Sequence, residues 1–144
     1  MNKIVFVCLG NICRSPMAEF VMKELDQEKS LHIESRATSS WEHGNPVHQG
    51  TQTILRKYAI SFDSSKGSQH ISQADFEFFD LVVGMDESNV EDLLQISAGR
   101  YDDKIKLFRP GGVPDPWYTG DFEETYKLVT AGCRDWLQWI KDRQ

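Results

Sequence analysis

The chain has 144 residues, 16 of them Lys or Arg and 22 Asp or Glu, for a formal net charge of −6. With 40% apolar and 26% charged residues it reads as one globular domain, large enough to bury a core without disulfide or metal staples. The acidic balance excludes the basic stripe a nucleic-acid binder needs, and no apolar run approaches the roughly 20 residues of a membrane helix. No A-x-A-like cleavage site follows the short apolar stretch at the N-terminus, so the expected setting is the cytoplasm. Cys8, Cys13 and Cys133 agree with it. They are odd in number, with no C-x-x-C pair and no zinc spacing, so they are core or reactive thiols, and no metal or cofactor is expected.

No linker, repeat or low-complexity tract divides residues 1–144. Ile4 to Val7 is a continuous β-branched and aromatic run, the pattern of a strand buried on both faces. Ser15-Pro16 then opens a helix with Met17, Phe20, Val21 and Leu25 on one stripe. Leu31 to Ala37 reads as a second strand, and Val47 to Tyr58 as a helix with Val47, Thr51, Ile54, Leu55 and Tyr58 inward. Leu81 to Met85 is a third strand, followed by a short helix near Ser88 to Ile96 with Val90, Leu93 and Leu94 apolar. Ile105 to Phe108 is a fourth strand. Pro110 to Pro116 cannot be regular, because its prolines and glycines break both helix and ladder. A last helix runs from about Phe122 to Lys141, with Tyr126, Val129, Cys133, Trp136, Leu137 and Ile140 on one face. Alternating strands and helices with short connections predict an α/β fold: one three-layer domain, with parallel strands joined by right-handed crossovers.

In an open parallel sheet, ligands bind beyond the carboxyl ends of the strands. The segment after the first strand, Cys8-Leu9-Gly10-Asn11-Ile12-Cys13-Arg14-Ser15, places a cysteine and an arginine five residues apart. A strand ending at Val7 and a helix starting near Ser15 leave a loop whose N–H groups can converge on one centre. The helix N-terminus adds free donors and the positive end of its dipole. Such a nest suits an oxyanion of phosphate size, gripped at the rim by the planar fork of Arg14. Cys8 lies on its floor, in an electropositive spot that favours the thiolate. This is a nucleophile with an anion trap.

A thiolate takes a phosphoryl group only if the departing oxygen is protonated, and Asp115 lies in the loop after the last strand, at the same edge. Trp41, Trp117 and Tyr118 could line a slot for an aromatic leaving group. Asp86, following the third strand, either meets the loop arginine or caps the next helix. His32, His43, His48 and His70 have no metal-ligand spacing and are expected on the surface or in hydrogen bonds.

The stretch Val7 to Pro16, together with Asp115-Pro116-Trp117-Tyr118, resembles the low-molecular-weight protein tyrosine phosphatases of bacterial type. Ser39 to Pro46 and Met85 to Asn89 extend the resemblance over nearly the whole chain. It implies a four-stranded parallel sheet flanked by helices, with a phosphate-binding loop after the first strand and metal-free phosphotyrosine hydrolysis. Carried over by position, Cys8 is the nucleophile, Arg14 the phosphoryl ligand and Asp115 the general acid and then base. Leu9, Gly10, Asn11, Ile12, Cys13 and Ser15 complete the phosphate loop, with Asn11, Ser15 and Ser35 supporting it. Trp41, Trp117 and Tyr118 match the rim that selects substrate. Cys13 matches a second loop cysteine that can form a reversible disulfide with Cys8. The implied partners are phosphotyrosine proteins and a cognate tyrosine kinase, met by a monomer. The sequence departs from the family at Trp117, where Tyr is usual, and at Lys66 to His70, which lacks a basic His-Lys/Arg-x-Arg-Gln run.

Three rivals share parts of this pattern. An arsenate reductase needs two relay cysteines after the third strand, and Phe79 to Ser97 contains none. A redox sensor or anion-binding module on Cys8 and Cys13 needs neither Arg14 nor Asp115. A phosphocysteine sugar-transport carrier has no use for an acid that hydrolyses its intermediate.

Overall fold

The run Ile4 to Val7 has no polar side to turn toward water, and it forms the heart of the central strand. The computed structural model describes residues 1–144. Strands β1 (Lys3–Cys8), β2 (His32–Ala37), β3 (Leu81–Gly84) and β4 (Ile105–Leu107) make one parallel sheet in the order β2-β1-β3-β4. The helices are α1 (Arg14–Leu25), α2 (Gln49–Lys57), α3 (Gln73–Phe78), α4 (Glu87–Ile96), α5 (Pro116–Thr119) and α6 (Phe122–Lys141). None is long and apolar enough to cross a membrane.

Side-chain alternation along β1 divides the core in two. Ile4, Phe6 and Cys8 face a large cluster with Met17, Phe20 and Val21 of α1, Ile54 and Leu55 of α2, and Val129, Cys133 and Ile140 of α6. Val5 and Val7 face a smaller one with Phe76 of α3 and Leu93 of α4. The chain leaves β1 to one side for β2 and later returns on the other side as β3. The carboxyl end of β1 is therefore the topological switch point, where a crevice opens. Cys8 is its last residue.

Several local expectations change. In α1 the burial exceeds one stripe: Arg14 through Met22 are all buried, because the sheet covers one side and α6 another. Its first residue is Arg14, which puts Pro16 at the third position, still within the turn whose N–H groups have no intrahelical partner. Tyr58 does not point inward. Helix α2 stops at Lys57, and the Tyr58 ring is 38% exposed, stacked on Tyr126 at 4.0 Å. In α4, Leu93 is buried while Leu94 is exposed. Helix α3 was not expected. Its signal is the pair Ser72 and Asp75, which form a capping box.

Candidate active site

The loop from Cys8 to Arg14 is held from outside by its carbonyls. Thr38 N–H donates to Cys8 O (2.9 Å), and Ser39 donates to Leu9 O through its N–H (3.2 Å) and its hydroxyl (2.8 Å). The Ser68 hydroxyl donates to Gly10 O (2.7 Å), His48 N–H to Ile12 O (2.8 Å), and the Thr51 hydroxyl to Cys13 O (3.3 Å). In a planar trans peptide the next N–H points opposite the carbonyl, so outward carbonyls turn the loop's N–H groups inward. Those of Leu9, Gly10, Ile12, Cys13 and Arg14 make no bond within the protein. The carbonyls preceding Leu9, Gly10, Cys13 and Arg14 are the ones held outward, so these four N–H groups are free donors on the crevice side, at the N-terminus of α1.

Asn11 fixes the loop's shape. Its φ of 55° is a left-handed conformation that asparagine tolerates better than most residues. Its side-chain NH2 donates to Ser15 Oγ (2.8 Å) and Ser35 Oγ (2.9 Å), and its Oδ1 accepts from Gln69 N–H (3.1 Å). Because Ser15 Oγ accepts from Asn11, its own proton is free for Cys8 Sγ, 3.0 Å away, the nearer of its two acceptors; Arg36 O is at 3.4 Å. The Asn11 N–H adds a second donor to Cys8 Sγ at 3.3 Å. Ser35 in turn donates to Glu19 Oε1 at 2.6 Å, and Glu19 is paired with Lys23 and Lys66. Replacing the 1%-exposed Asn11 by alanine removes three bonds and leaves alanine at positive φ. The expected result is a loss of about 2–4 kcal/mol, a Tm lower by on the order of 10 °C, and turnover reduced by at least about 10-fold. Thermal melts and steady-state kinetics check it; an unchanged melt would contradict this role.

Arg14 is 3% exposed and spans the crevice. It donates to Asp86 Oδ2 (2.6 Å) and the Val113 carbonyl (2.9 Å) through Nη1, and to Asp115 Oδ2 (3.3 Å) through Nη2. Burial works against its charge, but Cys8, Asp86 and Asp115 outweigh that and hold the guanidinium more firmly protonated than usual. Asp86 does both of the things open to it: its other oxygen accepts the Asn89 N–H (2.8 Å) and caps α4. Asp115 likewise caps α5 through Trp117 N–H (3.0 Å). Gly112 lets this loop come close, since a Cβ there would stand 2.9 Å from Asp86 Cβ. Arg109 fastens it through Gly112 O at 2.8 Å.

The crevice opens into a slot of about 230 Å³ lined by Leu9, Gly10, Ile12, Cys13, Trp41, Glu42, Asp115, Trp117 and Tyr118. Trp41 and Tyr118 are 78% and 79% exposed, so their rings stand free at its rim. Cys13 faces the slot as a thiol, its pKa pushed up to about 12 by burial and by the nearby charge of Cys8. Cys133 is fully buried on α6 with its pKa raised by burial alone, a core residue. No three His, Cys, Asp or Glu side chains converge as metal ligands. The segment Lys66 to His70, marked by the resemblance as a departure in loop support, does support the loop through Ser68 and Gln69; sequence reasoning missed Glu19, Thr51 and Arg109. Only Glu19 gave a signal, an i,i+4 pair with Lys23 on an otherwise apolar helix.

Compared with known proteins, residues 3–144 match the model of the family described as low molecular weight phosphotyrosine protein phosphatase. The chain belongs to that family. It is 40% identical to the low molecular weight protein-tyrosine-phosphatase YfkJ of Bacillus subtilis, covering 100% of this chain and 99% of that one. It is 38% identical to PtpA of Staphylococcus aureus, covering 97% and 94%. The crystal structure of SP-PTP, a low molecular weight protein tyrosine phosphatase from Streptococcus pyogenes, superposes with a TM-score of 0.95 at 60% identity, over 97% and 93% of the two chains. Membership in this phosphatase family implies phosphoprotein substrates. The arsenate-reductase rival ends here. Where the basic run usual in the family is missing, Ser68 and Gln69 brace the phosphate loop, and Lys66 Nζ reaches the Ser35 carbonyl at 3.3 Å.

Proposed function

We propose that residues 1–144 act as a single phosphatase domain that hydrolyses phosphotyrosine and simple aryl phosphate monoesters through a phosphocysteine on Cys8. The observation that carries this reading is one crevice holding the inward N–H groups, the doubly hydrogen-bonded Cys8 sulfur, and Arg14 joined to Asp115. The inward donors and the Arg14 fork take the phosphoryl oxygens, whose charge grows as the bond to the leaving group loosens. The Cys8 thiolate attacks phosphorus, and the P–O bond to the aryl oxygen breaks. That oxygen takes the proton of Asp115 as it leaves. In the second step Asp115, now a carboxylate, takes a proton from water. The water oxygen attacks phosphorus, the S–P bond breaks, and phosphate departs with the thiolate restored. Ser15 and Asn11 hold the sulfur's negative charge at both ends of the cycle. In this reading the enzyme works as a monomer in the cytoplasm, on proteins phosphorylated by a cognate tyrosine kinase.

The test is hydrolysis of para-nitrophenyl phosphate in EDTA across pH, for wild type and Asp115→Asn. The thiolate and the protonated acid must coexist, so the expected profile is a bell with its optimum at about pH 5–6. Asp115→Asn should lose about 10²–10⁴-fold, most with poor leaving groups, and should lose the alkaline limb. Wild type that binds phosphate without turning over would favour the anion-binding sensor. A profile still rising through pH 8 would remove Asp115 from its role.

A further inference from the structure

His48 touches both the phosphate loop and the Trp117 wall of the slot, and the mechanism above gives it no work. Its backbone N–H holds Ile12 O of the phosphate loop at 2.8 Å. Its ring Nδ1 accepts the Gly50 N–H at 2.9 Å and so caps α2. The ring face stacks on Phe122 of α6 (5.1 Å between centroids, 19° between planes). Trp117 packs against the same ring in an edge contact, 5.6 Å away and at 80°. Gly50 makes the stack possible, because a Cβ there would lie 2.5 Å from the Phe122 ring.

Trp117 sits on α5, a helix of four residues, and is 57% exposed. It lines the slot and also makes the edge contact with His48. We infer that His48 is a positioning residue: its ring sets the Trp117 wall of the slot, and thereby the affinity for the aromatic part of the substrate. The inference rests on the phosphatase reading of the slot and deepens it. The residue type follows from the two demands. Asparagine caps a helix without offering a plane, phenylalanine offers a plane without an acceptor, and neutral histidine does both.

This separation of roles supplies the test. His48→Asn keeps the cap and removes the ring, whereas His48→Phe keeps a ring and removes the cap. For each, calorimetry gives the Kd of phenylphosphonate, a non-hydrolysable aryl mimic, and of inorganic phosphate; kinetics give kcat and KM for para-nitrophenyl phosphate. His48→Asn is expected to weaken phenylphosphonate about 3- to 10-fold, the factor one aromatic edge contact supplies. KM should rise by the same factor, with kcat and the Kd of inorganic phosphate within about 2-fold of wild type. His48→Phe should keep wild-type affinities and melt about 2–4 °C lower. If His48→Asn leaves phenylphosphonate binding unchanged, or weakens inorganic phosphate equally, the inference is overturned. If wild type binds phenylphosphonate yet hydrolyses nothing, the phosphatase reading fails while the two Kd comparisons still decide the role of His48.

Discussion

Cys8→Ser is expected to abolish turnover, by on the order of 10⁴-fold or more, while phosphate binds at least as tightly as in wild type. The two halves of this result have separate physical causes. A serine hydroxyl at the same place is a far weaker nucleophile than a thiolate, and no base stands beside it: its neighbours are the Ser15 hydroxyl and the Asn11 N–H, both donors toward position 8. The trap, by contrast, is made of backbone N–H groups and Arg14, none of which the substitution touches. Removing the thiolate also removes a negative charge from beneath a bound anion. Isothermal calorimetry with phosphate, beside an activity assay, reads both. Residual turnover above a percent of wild type would mean that another group attacks phosphorus, and a lost phosphate site would mean that Cys8 builds the trap.

Arg14→Lys is expected to cost about 10³-fold in kcat/KM although the charge is kept. An ammonium offers a point charge in place of a planar fork. From one buried guanidinium the structure draws bonds to Asp86, to the Val113 carbonyl and to Asp115. Lysine cannot reach all of these and a phosphoryl group besides. The Val113–Asp115 segment would lose its tie to the phosphate loop, and Asp86 would face the crevice without its partner. Inhibition by inorganic phosphate should therefore weaken together with turnover. A variant that keeps wild-type phosphate inhibition and loses only kcat would show that Arg14 serves the acid loop alone.

Much of the architecture was legible because it rests on local signals. The unbroken apolar run at Ile4 to Val7 marks a strand covered on both faces. Cys8 and Arg14 stand five apart between strand and helix, and the prolines around Asp115 forbid a ladder. What was not legible depends on contacts between distant segments. The resemblance marks Lys66 to His70 as loop support, but nothing in their own residue types shows that Ser68 and Gln69 are the ones that brace Gly10 and Asn11, 58 residues away in each case. Tyr58 fits an inward helical position by periodicity, and only the early end of α2 and the stacking partner Tyr126 turn it outward. His48 looked like any hydrogen-bonded surface histidine. Its neighbours Trp117 and Phe122 come from segments some 70 residues on, and their convergence is a product of the fold.

The account stands on covalent chemistry at one sulfur. The most direct measurement is a rapid quench of the Asp115→Asn protein with para-nitrophenyl phosphate, whose nitrophenolate leaves without a proton, followed by mass spectrometry of its proteolytic fragments. The substitution slows the water step, so the intermediate should accumulate whenever a good leaving group makes the first step fast enough. The account predicts a phosphoryl adduct on the fragment carrying Cys8, absent from the Cys8→Ser,Asp115→Asn double variant and lost on longer incubation as phosphate appears. Hydrolysis with no adduct at any time, or an adduct on a residue other than Cys8, would contradict it.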